Sequence, residues 1–519
     1  MEFLVGISPR EYQEKIFNTC RNMNCLIVLP TGLGKTLVAL MLSIHRIKEF
    51  PNEKILFLAP TRPLAEQHLN YFKKHLPELF AEMELFTGEV SAEKRKKLWE
   101  MANIIFSTPQ CIANDVKNNL YNLKEVCLLI EDEAHRCLKN YDYNFVAKKY
   151  RESAVNQRIL GMTASPGSEV AKIREICSNL SIEAVELRTR NSPDVKEYLQ
   201  NLEFEKVMVD LPKEFDELRY SLKKIFEGYV GDLRMRNALF GLATKTELIK
   251  LQKKISLSLS SGSQNFSFFQ AASSCAQAIK LQHALELLET QTFEGFKKYI
   301  EKLVDEAKKR KSKGVVKLVS SQEFEFIVGK TREISEKNME HPKVGKAVEI
   351  IRNEMEKNSE AKIIIFTQFR DTASLLSKKI NEFSNVRSKI FVGQAKKENT
   401  GLNQKEQKKI IEDFSNSDIN VICATSIGEE GLDIPEVNAV VFYEPVSSAI
   451  RKIQRAGRTA RLMNGKLIIL VTKKTRDESS YYASMAREKK MHSAIGELRE
   501  DMSKKYESKQ KQENIGKYF

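Results

Sequence analysis

Over two stretches of this chain, short apolar runs alternate with longer helix-like segments, and that alternation limits the folds open to it. The first stretch carries Cys25–Leu29, Lys54–Ala59, Ile104–Ser107, Cys127–Ile130 and Arg158–Gly161. The second carries Ile363–Thr367, Lys389–Val392, Val421–Ala424, Val440–Tyr443 and Leu467–Val471. Runs that are apolar throughout, rather than alternating with polar residues, fit strands buried on both faces of a parallel sheet with helices packed outside. The reading is an α/β protein with two parallel-sheet lobes.

Between the two stretches the composition changes. Charged segments such as Glu214–Lys224, Thr244–Lys254 and Phe293–Lys317 read as helices, and Pro212 is the one proline between 201 and 340. The expected division is lobe 1 over 1–200, an α-helical insert over 201–340, lobe 2 over 341–490 and a charged tail over 491–519. Within the insert, Ser256–Ser274 is rich in Ser, Gln and Phe and reads as a loop.

Composition excludes several other classes. A hydrophobic content of 42% is too high for a disordered chain, and eight cysteines in 519 residues are too few for a disulfide scaffold. No stretch of about 20 mostly apolar residues is present to span a membrane, and Met1-Glu2-Phe3 does not open a signal peptide. The expectation is a soluble cytoplasmic chain with free thiols. Lys+Arg total 84 against 69 Asp+Glu, a net charge of +15, which suits a nucleic-acid partner without requiring one.

Two local patterns carry chemistry. The first apolar run leads into Pro30-Thr31-Gly32-Leu33-Gly34-Lys35-Thr36 and then a helix-like segment. A Gly-rich turn at a helix N-terminus offers backbone N–H groups and the positive dipole end to phosphate. Lys35 is placed for the β- and γ-phosphates of ATP and the Thr36 hydroxyl for Mg²⁺. The full loop pattern would start with Gly at position 29, where this chain has Leu29. The second pattern is Cys127–Ile130 followed by Glu131-Asp132-Glu133-Ala134-His135. Asp132 is the expected Mg²⁺-holding acid and Glu133 the residue that activates the attacking water. Glu131 reads as a solvated loop acid.

These motifs, with Thr163-Ala164-Ser165, ATSIGEEGLDIP over 424–435 and QRAGRTAR over 454–461, resemble a superfamily 2 helicase with two RecA-like lobes. Phe391–Ala395, Gly401–Gln407 and Val441–Val446 bring the resemblance closest to the archaeal fork-DNA helicase/nuclease Hef and its Fanconi anaemia M relatives. Ala460 stands where the sixth motif usually has Gly. The chain also lacks the ERKxxxD nuclease core of other Hef proteins, so the expectation is a helicase without nuclease activity.

The resemblance implies residue roles. Arg10 and Gln13 lie in an adenine-contacting motif, while Pro30 to Thr36 cradle the phosphates. Asp433 meets the ribose and Gln454 senses the nucleotide. Arg458 and Arg461 reach the ATP from lobe 2. His135, Thr163 and Ser165 couple ATP state to nucleic-acid state, with a plain core histidine as the alternative for His135. Thr61, Arg62, Thr87, Gly88, Thr108 and Pro109 in lobe 1, and Thr367, Gln368, Gly393, Gln394 and Thr425 in lobe 2, match backbone-contacting motifs. The implied activity is an ATP- and Mg²⁺-dependent monomeric motor on forked or branched DNA moving 3′→5′, with an RNA helicase or duplex-RNA-stimulated ATPase as the alternative and a clamp-bound DNA scaffold as the non-enzymatic one.

Two further features complete the reading. The insert holds two basic clusters, Arg234 to Lys254 and Lys297 to Lys317, suited to DNA arms or simply to solvated helix faces. The final residues place Gln512, Ile515, Tyr518 and Phe519 in a spacing that resembles the peptides by which replication proteins bind the sliding clamp (PCNA).

Overall fold

The computed structural model describes residues 3–190, 192–198, 201–260, 266–393, 401–425, 435–446 and 465–516. In the first lobe, α1 (Glu11–Asn22), β1 (Cys25–Val28), α2 (Lys35–Glu49), β2 (Lys54–Leu58), α3 (Arg62–His75), β3 (Met83–Phe86), α4 (Ala92–Met101), β4 (Ile104–Ser107), α5 (Pro109–Lys117), β5 (Val126–Asp132), α6 (Asp142–Ser153), β6 (Ile159–Thr163), α7 (Val170–Asn179), β7 (Ala184–Leu187) and α8 (Pro193–Lys196) follow in order. Its sheet runs β3-β4-β2-β5-β6-β1-β7, with every pair parallel. β1, β2, β4, β5 and β6 are buried along their whole length, as expected of central strands covered on both faces. One apolar cluster lies on each face: Leu26, Leu56 and Leu129 point to one, Ile27, Phe57 and Ile130 to the other.

The chain then adds β8 (Leu202–Val209) before the insert, which comprises α9 (Lys213–Met235), α10 (Lys245–Ser260), α11 (Phe266–Thr290), α12 (Phe293–Lys308), α13 (Lys313–Val319) and α14 (Gln322–Glu336). The second lobe comprises α15 (Pro342–Lys357), β9 (Ile363–Phe366), α16 (Arg370–Ile380), β10 (Ser388–Phe391), α17 (Gln404–Ser415), β11 (Val421–Ala424), β12 (Ala439–Phe442), β13 (Gly465–Thr472) and α18 (Arg476–Gly516). Its sheet is β10-β11-β9-β12-β13-β8, again all parallel.

Three expectations are corrected here. The insert does not begin at residue 201: β8 pairs with β13 over all eight of its residues, so 202–209 is an edge strand of the second lobe. It exposes Glu203, Phe204 and Lys206, and charge on an exposed edge is how sheets avoid further pairing. Second, Ser256–Ser274 is helical in its described parts, belonging to the end of α10 and the start of α11, where Ala271, Cys275 and Ala278 pack against Leu233 and Leu248. Third, the chain from 491 onward is no detached tail. Helix α18 leaves the second lobe with Tyr481 and Met485 in that lobe's core. It then buries Met491, Ala494, Ile495 and Leu498 in the core of the first lobe. That spacing is one face of a helix.

The insert is fastened to the second lobe. Gln291 at the end of α11 bonds Glu444 at 3.3 Å and accepts from the Thr372 hydroxyl at 2.8 Å. Arg476 reaches Glu289 at 3.3 Å. Under these contacts Lys343, fully buried, pairs with buried Asp477 at 2.7 Å and donates to the Tyr443 carbonyl at 2.9 Å. All eight cysteines are free and buried. Among the described residues no helix is long and apolar enough to cross a membrane.

Candidate active site

The strand order of the first lobe assembles the site. β6 lies between β1 and β5, so the loop after β1, the acids ending β5 and Thr163 ending β6 meet at one carboxyl edge of the sheet. Such edges, where neighbouring connections diverge to opposite faces, are where parallel sheets bind ligands.

The phosphate loop is shaped by two left-handed glycines, Gly32 at φ +91° and Gly34 at φ +72°. Gly34 caps α2, and a Cβ there would come within 2.3 Å of Gln13 Nε2, so both conformation and space require glycine. Gln13 is buried. Its Oε1 accepts from the Arg10 backbone N–H at 2.8 Å, and its Nε2 donates to the Leu33 carbonyl at 3.2 Å. The Tyr12 hydroxyl donates to the same carbonyl at 2.9 Å. Gln13 therefore braces the loop, while the Arg10 guanidinium lies 5.1 Å from the centre of the Tyr198 ring. Lys35 Nζ donates to the Leu29 carbonyl at 3.0 Å, across the mouth of the loop. Thr36 follows in the first turn of α2.

Asp132 closes β5 with its side chain buried. His68 Nε2 on α3 lies 2.9 Å from its Oδ2, and the Tyr143 hydroxyl on α6 donates to its backbone carbonyl at 2.7 Å. Burial pushes the Asp132 carboxyl up, but the His68 contact and the charge of Lys35 outweigh it and hold the group below the ordinary carboxylate range. An ionised carboxylate facing a lysine, with a threonine hydroxyl at the start of α2, is the hard oxygen set that Mg²⁺ takes. The donors present fit the metal.

Glu133 sits at φ +51°, a left-handed conformation that a non-glycine residue adopts only when its surroundings impose it. Its carboxylate is 3.1 Å from His135 Nδ1, and that nitrogen is 3.1 Å from the Thr163 hydroxyl. Thr163 is fully buried and exchanges two hydrogen bonds with Ser165, both at 3.1 Å. Ser165 Oγ lies 2.8 Å from Met491 Sδ on α18. The three coupling residues thus form one continuous contact chain from Glu133 to the helix that comes from the other lobe.

Glu131 departs from its expectation. It is fully buried, accepts from the Cys137 thiol at 2.9 Å, and burial pushes its carboxyl up to about 8. β5 carries its fully buried pattern to the last residue, so no solvated loop begins at 131.

The remaining candidates line the carboxyl edges of the two sheets. In the first lobe Thr61 and Thr108 hold the N-cap positions of α3 and α5 without a side-chain capping bond, and buried Pro109 opens α5. Arg62 pairs with Glu89, and Gly88 is exposed beside buried Thr87. In the second, Gln368 is exposed. Thr367 is fully buried and donates to Glu444 at 3.3 Å, Thr425 is buried, and the Gly393 carbonyl accepts from Arg370 at 3.1 Å. The side chains of Thr87, Thr367 and Thr425 are therefore turned into the protein. Gln394, Asp433, Gln454, Arg458, Arg461, Tyr518 and Phe519 lie outside the described residues, as do the side chains of Gln512 and Ile515, which are placed on α18.

The basic clusters of the insert differ from each other. In the first, Arg236 pairs with Asp232 at 2.9 Å, Lys250 with Glu247 at 2.8 Å, and Lys245 with Glu286. In the second, Lys308, Lys309, Arg310, Lys311 and Lys313 stand exposed at the turn from α12 to α13.

A solved structure, the Pyrococcus furiosus Hef helicase domain, matches this chain with a TM-score of 0.72 and 42% identity, covering 92% of this chain and 98% of that one. The chain belongs to the Hef group of superfamily 2 helicases. The lobes of this Hef-type chain match the DEAD/DEAH box helicase family over residues 10–173 and the helicase conserved C-terminal domain over 345–463. Its insert matches the family described as "Putative ATP-dependent RNA helicase, helical bundle" over 214–338. Among curated relatives, a Methanocaldococcus jannaschii protein named "Putative ATP-dependent RNA helicase" is 38% identical over 93% of this chain. The Sclerotinia sclerotiorum ATP-dependent DNA helicase mph1 is 32% identical over 92%, and the mouse Fanconi anemia group M protein homolog 30% over 94%. The chain spans 60%, 40% and 26% of the lengths of these three relatives.

His68 and Tyr143 were not legible as site residues. His68 sits in the middle of α3 and Tyr143 in the first turn of α6, both outside any motif, and only the fold brings them to Asp132.

Proposed function

We propose that this chain is an ATP-dependent DNA motor acting on forked or branched DNA, moving 3′→5′ as a monomer. The observation that carries the ATPase half is the joint geometry of the phosphate loop, ionised Asp132 and strained Glu133 at one sheet edge. The DNA half is supported by relatives named as DNA helicases and by the exposed basic turn at 308–313. Bound Mg²⁺ supplies positive charge to the phosphate oxygens; Thr36 and Asp132 would hold it. Lys35 exchanges the Leu29 carbonyl for phosphate. Glu133 orients the attacking water and accepts its proton. Gln13 and Arg10 mark the adenine side, Asp433 the ribose and Gln454 the nucleotide sensor. Arg458 and Arg461 stabilise the transition-state charge when the lobes close, a contribution of roughly 10³–10⁵ in rate. Cycles of closure and opening move the lobes along the strand.

Contacts to nucleic acid fall on its backbone, through Thr61, Arg62, Gly88, Thr108, Gln368, Gly393 and Gln394. Affinity then falls steeply with salt and depends weakly on sequence. Recruitment to a sliding clamp would run through Gln512, Ile515, Tyr518 and Phe519. Deleting 511–519 should abolish clamp binding and leave ATPase unchanged.

The second reading is a duplex-RNA-stimulated ATPase, favoured by the name of the M. jannaschii relative and of the helical-bundle family. ATP hydrolysis measured with fork DNA, linear duplex, single strand and duplex RNA separates the two. Stimulation by RNA alone overturns the first reading. Lys35→Ala should abolish turnover, and DNA-stimulated hydrolysis that survives it places the active site elsewhere.

A further inference from the structure

His68 lies on the inner face of α3, among apolar Ala65, Leu69 and Phe72, with His75 the other polar residue that face buries, at the end of the helix. Its ring is packed against Phe57 with centroids 4.4 Å apart, and Phe57 stacks on Phe106 at 5.3 Å. This is an aromatic core, and an apolar side chain would suit it. His68 instead brings in two ring nitrogens. Nε2 lies 2.9 Å from Asp132 Oδ2, while Nδ1 is buried without a hydrogen-bond partner among the described residues. A desolvated nitrogen left unmatched is a cost to folding. Among the described residues the one polar contact the ring makes is with Asp132, so that contact is the gain set against it.

The geometry also explains how the contact acts. In the role of metal-holding acid Asp132 is a carboxylate, which accepts only, so in this contact Nε2 is the nitrogen that donates. The packing of Phe57 and the backbone of α3 hold the imidazole in one orientation. Tyr143 anchors the other end of the same residue by donating to the Asp132 carbonyl at 2.7 Å. Asp132 is thus fixed through its backbone from α6 and through its side chain from α3, on opposite sides of β5 (Tyr143 belongs to one core cluster, and Phe57, against which His68 packs, to the other).

We propose that His68 is the positioning residue for Asp132, donating to Oδ2 so that the carboxylate keeps the rotamer in which its remaining lone pairs serve Mg²⁺. The inference rests on the reading of Asp132 as the metal-holding acid. Hydrogen-bonded partners of metal ligands typically govern 10–100-fold in metal affinity, which sets the expected effect.

The test uses the full chain with His68→Leu, which removes the donor, and His68→Gln, whose amide N–H can reach the same oxygen. Mn²⁺ binding in the presence of a non-hydrolysable ATP analogue is followed by electron paramagnetic resonance. Analogue binding in EDTA, thermal unfolding and the Mg²⁺ half-saturation of ATP hydrolysis are measured alongside. His68→Leu should weaken Mn²⁺ binding and raise the Mg²⁺ half-saturation by about 10–100-fold. Analogue binding in EDTA should change by less than about twofold, and His68→Gln should recover most of the metal affinity. If His68→Leu does not fold, His68→Asn, a donor too short to reach Asp132, replaces it under the same criteria. A folded donor-less variant with wild-type Mn²⁺ affinity overturns the proposal, and so does equal impairment of the donor-less and Gln variants, which would assign His68 to packing. A wild-type chain that holds no Mn²⁺ beside the nucleotide overturns the underlying reading of Asp132 instead.

Discussion

Replacing Lys343 by Met isolates the buried charge pair at the root of α18. Lys343 is fully buried, 2.7 Å from Asp477 Oδ2, 2.9 Å from the Tyr443 carbonyl and 4.6 Å from the centre of the Tyr443 ring. Asp477 also accepts from the Thr472 backbone N–H at 3.2 Å and from the Thr472 hydroxyl at 3.0 Å. Met fills a similar volume but leaves the Asp477 charge buried with only those neutral donors, a loss of about 3–5 kcal/mol. A chain of several domains does not unfold in one step, so a global midpoint is the wrong observable. Hydrogen exchange of the β12 and β13 amides reads the second lobe alone, and should accelerate by roughly 10²- to 10⁴-fold. Burial already raises the Asp477 carboxyl against the pull of Lys343, and removing the lysine raises it further. A folded-state pKa raised above the unfolded value gives stability that is present at low pH and lost as pH rises through the folded pKa. The deficit of Lys343→Met should therefore shrink between pH 8 and pH 5, as Asp477 takes up a proton. The double variant Lys343→Met/Asp477→Leu removes the orphan charge and should regain most of the loss. A single variant costing under about 1 kcal/mol, or a double variant no more stable than the single, refutes the account of a pair held by mutual desolvation.

Glu131→Gln tests the other buried acid. With its carboxyl at about 8 in the fold, native Glu131 keeps a proton that the unfolded chain gives up near pH 4.5, so first-lobe stability should fall with pH between those values by about 1.4 kcal/mol per unit. The Gln variant lacks that titration, and its stability from pH 5 to 8 should be flatter by about one proton; an unchanged slope would place Glu131 in the ionised form. Ile495→Asp puts a charge into the first-lobe cluster. It should release α18 beyond residue 490 to proteolysis while both lobes keep their far-ultraviolet signal, and a helix that stays protected contradicts the packing. Changing Lys308, Lys309, Arg310, Lys311 and Lys313 to Gln should reduce the salt dependence of DNA binding by up to about five in log–log slope, whereas neutralising Arg236, Lys245 and Lys250 should change it little, because acids already partner them.

How much of this was legible in the sequence depended on how local the signal was. The central strands carry their burial in their own composition: Cys25–Val28, Ile104–Ser107 and Ile363–Phe366 are apolar because both faces are covered, and they were readable for that reason. Edge strands have one neighbour and a wet side. β3, β7 and β8 therefore carry Glu84, Glu186, Glu203 and Glu205 and look like loops or helices when read alone. The phosphate loop and Asp132-Glu133 were legible because a ligand demands particular residues at short spacing. His68 and Tyr143 were not, since a single polar residue on an amphipathic helix signals nothing until the sheet order brings it beside Asp132.

The helix α18 shows the same limit on a larger scale. Met491, Ala494, Ile495 and Leu498 form a visible apolar stripe, yet a stripe states that something is covered without stating what. In the fold it covers the first lobe, although the helix starts at Arg476 and buries Asp477 in the second. From Tyr481 to Ile495 the rise is about 21 Å at 1.5 Å per residue, so one rigid element reaches from one lobe's core into the other's. Its contact with Ser165 stands two residues from Thr163, and Thr163 stands one hydrogen bond from His135 and through it from Glu133. Any rotation of one lobe against the other must therefore bend α18, slide it across Ser165, or carry Ser165 with it. The first costs helix hydrogen bonds, the second unpacks three large apolar side chains at about 1.5–3 kcal/mol each, and the third moves the contacts of the water-activating acid.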